Sequence, residues 1–226
     1  KRMITNFKGG NFVISVPSQA YKCPPAPYER ACMIAYYFKT NNIKAKVILI
    51  DPREKPGAKA KGFLSSFNDL YKDYIEYLPL SEIKDIDFEN KYLTVDTFNK
   101  KEVEYVSKKV YFDDANIIPN MKPSKLIEET GLALTAKGWA KLKEPTMRSE
   151  SDDDIYIIGD AQGQYPYPKS AQMANSCAYI VAQDLTARLK NIPFNYKANM
   201  PSNICYSMVS KDKAVSVSHF YNFTKI

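Results

Sequence analysis

The chain has 226 residues, 45% of them hydrophobic and 25% charged, the composition of an ordinary soluble globular protein with one large or two small domains. It has no apolar run of the roughly eighteen residues needed to span a bilayer, and its one histidine, His219, excludes a two-histidine zinc site. The formal net charge is +7, but the lysines are scattered with few arginines and no basic stripe between aromatics, so a Lys-rich solvated surface is expected in place of a nucleic-acid site, with a mild positive field that can still attract a small anion or an acidic partner protein.

The chain opens at Lys1 with polar residues and no charged-then-apolar leader, so a signal peptide is expected to be absent or already removed. A first residue other than Met points to a processed or truncated chain. Residues 12–16 (FVISV) read as a buried strand after the turn residues Gly9 and Gly10. A Pro-rich loop follows, and residues 28–39 then have helical spacing, with Cys32, Ala35, Tyr36 and Phe38 available to a core face. Residues 46–51 (KVILID) form a second apolar strand, which completes a parallel strand–helix–strand unit.

That unit has the size of a dinucleotide-binding half, and Asp51 lies where a ribose-binding acid would sit. Its first turn, however, lacks the glycines that let a pyrophosphate approach the backbone. The stretch 57–62 has the glycines of a phosphate loop but continues with Phe63 instead of lysine, so it is no Walker loop.

Further along, residues 62–74 predict a helix and 75–78 a short strand. Alternating segments between 92 and 118 predict a β-meander, and 126–130 a short helix stopped by Gly131. Residues 154–160 (DIYIIGD) read as a strand, and the acidic run before them as a solvated turn. A long helix over 170–190 presents Met173, Cys177, Ile180, Val181, Leu185 and Leu189 on one face. From Asn191 the chain is Pro-containing and then β-like; His219 there is expected to pack in an apolar strand.

Two constellations can carry chemistry. Gly159-Asp160 ends an apolar segment and is followed, ten residues on, by Ser170, a good N-cap, after Pro168 and Lys169. A helix N-terminus there can hold the anionic edge of a reduced flavin, and Asp160 can accept a sugar-like hydroxyl. Tyr165, Pro166 and Tyr167 either flank a flat ring or pack inward. The second constellation is the four cysteines. Cys32 and Cys177 lie on apolar helix faces, whereas Cys23 and Cys205 lie in accessible contexts, and four cysteines allow three pairings. A structural disulfide and a redox pair are both open, with Glu29 and Lys22 placed to tune the Cys23 sulfur.

The segment 21–30 (YKCPPAPYER) resembles the CPPGPYER motif of the flavoprotein subunit of flavocytochrome c sulfide dehydrogenases, relatives of the sulfide:quinone oxidoreductases in the disulfide-oxidoreductase flavoprotein superfamily. Gly138-Trp139, Pro145-Thr146-Met147, IIGDA at 157–161, Pro168-Lys169-Ser170, Ala174-Asn175-Ser176 and Ile204-Cys205-Tyr206-Ser207 follow in the family's order.

The resemblance implies an α/β, three-layer, glutathione-reductase-like fold of partial tandem Rossmann-like domains with a β-meander. Residues 1–117 would be the central NAD-like domain without a dinucleotide fingerprint, 118–192 the returning half of the FAD-binding domain, and 193–226 a truncated C-terminal segment. It implies FAD as cofactor, with Gly159, Asp160, Pro168, Lys169 and Ser170 binding it, and a redox-active disulfide between Cys23 and Cys205 assisted by Glu29.

The implied reaction is oxidation of hydrosulfide or a small sulfur substrate in the periplasm, with electrons passed to a cytochrome c subunit. A quinone acceptor, or a non-catalytic scaffold that has lost FAD, are the alternatives. Alanines at 26 and 171 replace the family's usual glycines, and the GxGxxG unit with which family members begin is absent. A fragment, or a chain unable to hold the adenine half of FAD, is therefore expected, and this chain alone is expected to be inactive.

Overall fold

The structure, a computed structural model, describes residues 2–163, 167–195 and 200–221. They fall into two compact units, one comprising Lys1–Ala20, Pro25–Asn120 and Tyr206–Ser216, the other Tyr21–Pro24, Met121–Cys205 and Val217–Ile226. Both are discontinuous in sequence.

In the first unit a short helix α1 (Arg2–Asn6) precedes strand β1 (Gly10–Ser15). Helix α2 (Ala26–Thr40) carries the chain to β2 (Ala45–Ile50), which pairs with β1 in parallel, Phe12 opposite Val47 and Ile14 opposite Leu49. The strand–helix–strand expectation therefore holds. Helix α3 (Ala60–Tyr71) leads to β3 (Ile75–Leu78), parallel to β2. Three antiparallel strands follow, β4 (Ser81–Asp87), β5 (Tyr92–Asn99) and β6 (Glu104–Tyr111). Strand β7 (Asp114–Asn116) then returns to β1, giving the order β3-β2-β1-β7.

The meander thus starts earlier than expected and ends before residue 112, because 114–116 leave it for the parallel sheet. Asp113 makes that switch: its carboxylate accepts from the Asn11 amide (2.8 Å) and its own amide donates to the Asn11 carbonyl (2.9 Å). Gly10, at φ +93°, is needed there, since a β-carbon would lie 1.9 Å from an Asp113 carboxylate oxygen.

Alternation along the strands builds three layers. Val13, Ile48 and Ile50 pack with Leu93, Val95, Val110 and Phe112 of the meander. Their neighbours Phe12, Ile14, Val47 and Leu49 are buried on the other side, where Phe7 contacts both Phe12 (5.6 Å between rings) and Phe38 of α2 (5.3 Å).

Asp51, just past β2, is turned inward. Its wholly buried carboxylate accepts from the hydroxyls of Tyr28 (2.7 Å) and Tyr77 (2.9 Å), the Arg53 amide (2.9 Å) and the Arg53 guanidinium (3.3 Å). Arg53 also donates to the Pro17 carbonyl (2.9 Å). The acid read as a ribose ligand is a knot joining β2, α2 and β3.

In the second unit α4 (Lys125–Glu129) is capped by Ser124, and β8 (Leu142–Lys143) pairs with β9 (Arg148–Ser149). The strand expected over 154–160 does not form. Tyr156 makes a single bridge to Arg148 and residues 159–161 curl into a 3₁₀ turn, because β9, the strand alongside, is only two residues long and already paired with β8.

Helix α5 (Ala171–Leu189) starts where expected, with the Ser170 hydroxyl accepting from the Met173 amide (3.1 Å). Its buried stripe is Met173, Cys177, Ile180, Asp184 and Ala187; Leu185 and Leu189 are exposed. Asp184 is buried because Arg148 grips it with two donors at 2.7 and 3.0 Å while Tyr156 donates to it at 2.5 Å. The acidic turn is solvated as read, with Asp153 and Asp154 exposed and paired to Lys143 and Arg188.

The chain closes in a two-stranded sheet of β10 (Ser202–Met208) and β11 (Ala214–Phe220). His219 is exposed there, not packed: it falls on the open side of β11, 6.1 Å from the Tyr221 ring.

Replacing Asp51 with alanine removes the one acceptor that the Tyr28 and Tyr77 hydroxyls and the Arg53 guanidinium share. Urea unfolding should show a loss of about 3 kcal/mol, and an unchanged midpoint would refute the knot.

Candidate functional site

The Pro-rich loop presents Cys23 at the surface, in the left-handed region at φ +51°. The following proline disfavours a right-handed helical turn at this residue. The Tyr21 hydroxyl closes the loop on the Pro24 carbonyl (2.8 Å), and α2 then begins at Ala26 with Pro25 as its N-cap residue. Ala26 and Ala171, where the family has glycine, are each the first residue of a helix, a position in which alanine costs less than glycine. The Cys23 amide donates to the carbonyl of Lys169 (2.8 Å).

Cys205 sits half-buried on β10, its sulfur 3.6 Å from the Asn203 side-chain oxygen. That oxygen accepts from the Ser170 hydroxyl (2.5 Å). The Ser202 amide adds a second tie to α5 through the Ser176 hydroxyl (2.9 Å). The adjacent residues Lys169 and Ser170 thus hold the Cys23 loop and the Cys205 strand at one helix start, all within the second unit. No disulfide bond joins the two cysteines in this structure.

Around them lie the other predicted residues. Gly159 is at φ +66°, a conformation that favours glycine. The Asp160 carboxylate pairs with Lys22 at 3.4 Å, both groups substantially exposed, so the pair adds little stability. Lys22, read as a tuner of the Cys23 sulfur, is thus engaged by Asp160. Lys169 is buried, its ammonium on the carbonyls of Asp160 (2.8 Å) and Gln162 (2.5 Å) and 3.6 Å above the Trp139 ring. The Pro168 carbonyl accepts from the Ser170 amide (3.0 Å).

Glu29 lies in the first unit, where its carboxylate accepts from the Met208 amide (2.8 Å). That hydrogen bond ties α2 to the Met208 end of β10, within the first unit. Tyr167 is buried, edge-on to Tyr221 (5.0 Å), which decides for inward packing; Tyr165 and Pro166 lie outside the described residues.

Asn203, the contact of the Cys205 sulfur, escaped the sequence reading. Its signal was its place two residues before Cys205, on the same face of a strand.

Burial separates the four thiols. Desolvation pushes Cys177 up to about 11, and desolvation with the nearby Glu29 carboxylate pushes Cys32 up to about 12. Iodoacetamide at neutral pH should therefore label Cys23 and Cys205 in the native chain, and Cys32 and Cys177 only after unfolding. Peptide mass spectrometry checks this, and native labelling of Cys32 as fast as Cys23 contradicts it.

Residues 1–119 match the family described as the central part of the flavoprotein chain of sulfide dehydrogenase (flavocytochrome c). The mitochondrial sulfide:quinone oxidoreductase of Dictyostelium discoideum is 24% identical over 224 residues, covering 97% of this chain and 48% of that protein. A chain in the Tetrahymena thermophila mitochondrial ATP synthase structure superposes with a TM-score of 0.70 at 16% identity, over 97% of this chain and 52% of that one. The NAD-dependent persulfide reductase of A. fulgidus gives 0.52 at 18% identity, over 82% of this chain and 32% of that one.

The chain thus spans about half the length of the curated relative it matches. The solved structures establish the fold, the α/β Rossmann-like architecture of glutathione-reductase-like flavoproteins. The family match takes in more than half of the residues, and the cysteine loop lies inside it. The chain belongs to the sulfide dehydrogenase (flavocytochrome c) flavoprotein family, among the disulfide oxidoreductases related to the sulfide:quinone enzymes.

Proposed function

We propose that this chain carries the sulfur-reacting site of an FAD-dependent oxidoreductase that oxidises sulfide through a Cys23–Cys205 disulfide. The carrying observation is the attachment of both cysteine segments, remote in sequence, to Lys169 and Ser170.

Hydrosulfide is a small, soft nucleophile suited to an exposed disulfide. Its attack forms one S–S bond as the Cys23–Cys205 bond breaks, leaving a persulfide on one cysteine and a thiolate on the other. A bound flavin would supply the acceptor for the thiolate's electron pair, and a cytochrome c subunit would be the onward acceptor in this reading.

The residues present suit the ring and ribityl half of that cofactor. Gly159 provides a left-handed turn and Asp160 a partly exposed carboxylate that can accept from a ribityl hydroxyl. The first-turn amides of Ala171 and Gln172 precede the helical ladder, which begins with Ala174 donating to the Ser170 carbonyl. They are donors for an anionic ring edge. Pro168, Lys169 and Ser170 form the backbone of that edge. The eight glycines include no GxGxxG for the pyrophosphate. Periplasmic residence belongs to the same reading, since disulfides persist in oxidising compartments.

Two observations favour variants of it. The Dictyostelium relative is named as a quinone-reducing enzyme, which favours a quinone as acceptor. The likeness over nearly the whole chain to a chain of an ATP synthase favours a non-catalytic subunit that keeps the fold inside a larger assembly. Purified protein that is colourless and takes up no added FAD would select the latter.

In the flavin-loaded enzyme, Cys205→Ser should slow sulfide-dependent bleaching of the flavin band by about a hundredfold or more, with bleaching by dithionite retained. Full sulfide-dependent reduction in the variant overturns the disulfide mechanism.

A further inference from the structure

A lysine that is 6% exposed, at the start of a helix whose N-terminus already carries positive partial charge, is costly to place. Among the described residues no carboxylate lies within ion-pair distance of the Lys169 amine. Its three N–H directions are taken up by the Asp160 carbonyl (2.8 Å), the Gln162 carbonyl (2.5 Å) and the face of the Trp139 indole, 3.6 Å from the ring centre.

The indole is fixed in its turn. The Trp139 amide donates to the Thr135 hydroxyl (3.1 Å) and its carbonyl accepts from the Thr135 amide (2.7 Å). Next to it, Ala140 exchanges backbone hydrogen bonds with Ala161 (3.3 Å) and Gly163 (2.8 Å), on either side of Gln162. The close approach leaves no room at Gly163, where a β-carbon would come within 2.7 Å of the Trp139 β-carbon.

We propose that Lys169 is a positioning residue for the cysteine site. Its ammonium fastens the turn at 159–162 against Trp139, and its own carbonyl holds the amide of Cys23. One side chain thereby ties the position of the Asp160 carboxylate to that of the Cys23 sulfur. With its donors committed to the backbone and the indole, the amine acts through the turn and not as a donor to a bound ring. The proposal rests on the reading of Cys23 as a site cysteine.

The charged groups facing the amine are the Asp160 carboxylate and the Lys22 ammonium. Desolvation, opposed by Asp160 and reinforced by Lys22, brings Lys169 down to about 8. Because this lies below the unfolded value of 10.5, the folded chain releases the proton first, and the fold gains stability as pH rises between the two values. Deprotonation leaves two N–H groups for the two carbonyls and removes the cation from the indole face.

Trp139 is the chain's only tryptophan, so its emission reports this contact directly. In the 226-residue chain the emission should titrate with a midpoint near 8 over a scan from about pH 6.5 to 9.5. The titration should vanish in Lys169→Met and in Lys169→Arg, which has no neutral form in that range.

The rate of Cys23 alkylation, followed by peptide mass spectrometry, should rise roughly threefold to tenfold in Lys169→Met, the worth of about one net hydrogen bond. Lys169→Arg should restore a rate close to the native one. Trp139→Leu, which keeps the lysine and removes the aromatic face, should raise the Cys23 rate in the same direction and decides the matter if Lys169→Met does not fold. The proposal is overturned by a titration that persists in Lys169→Met, or by a Cys23 rate unaltered in both Lys169→Met and Trp139→Leu. Neither readout uses flavin or sulfide, so a negative result removes the clamp and leaves the disulfide chemistry standing.

Discussion

A hydroxyl can donate and accept at once, and the arrangement of the second unit depends on Ser170 doing both. Its oxygen accepts from the Met173 amide and so starts α5; its proton goes to Asn203, beside the Cys205 sulfur. The preceding residue receives the Cys23 amide. A helix cap, ordinarily worth about 1 kcal/mol, here also sets where two cysteine-bearing segments attach. An alanine at this position would lose the cap and leave Asn203, almost fully buried, without its hydroxyl donor.

The first unit has the strand order of a nucleotide-binding half, but its sequence lacks the glycines of a phosphate turn. The acid at the end of β2 is spent internally on Tyr28, Tyr77 and Arg53. Arg53, reaching the Pro17 carbonyl, straps the ends of β1 and β2 together. The Pro-rich turn after β1 then delivers a cysteine instead of a phosphate cradle.

Much of this was legible in the sequence because period and capping are local properties. The β1–α2–β2 unit, β3, α4 and the start of α5 follow from apolar spacing and from Ser170. The misreadings are places where a partner decides. Strand β4 (SEIKDID) is too polar to announce itself and forms by pairing with β5. Residues 154–160 are apolar enough for a strand but find only Arg148 to bridge. On α5, hydrophobicity points to Leu185 and Leu189, whereas the buried stripe takes Asp184 and Ala187, because Arg148 neutralises the acid and the Tyr156 hydroxyl donates to it. At the site, the motif residues could be named, but neither the Lys169–Trp139 contact nor the role of Asn203 has a sequence signal beyond adjacency.

The central claim is that the Cys23 loop and the Cys205 strand meet at the start of α5. Non-reducing peptide mapping after mild diamide oxidation of the native chain tests it most directly. The account predicts one dominant cross-linked peptide joining Cys23 to Cys205, with Cys32 and Cys177 still reduced. A chain in which Cys23 and Cys205 stay unlinked, or link to other cysteines, contradicts it.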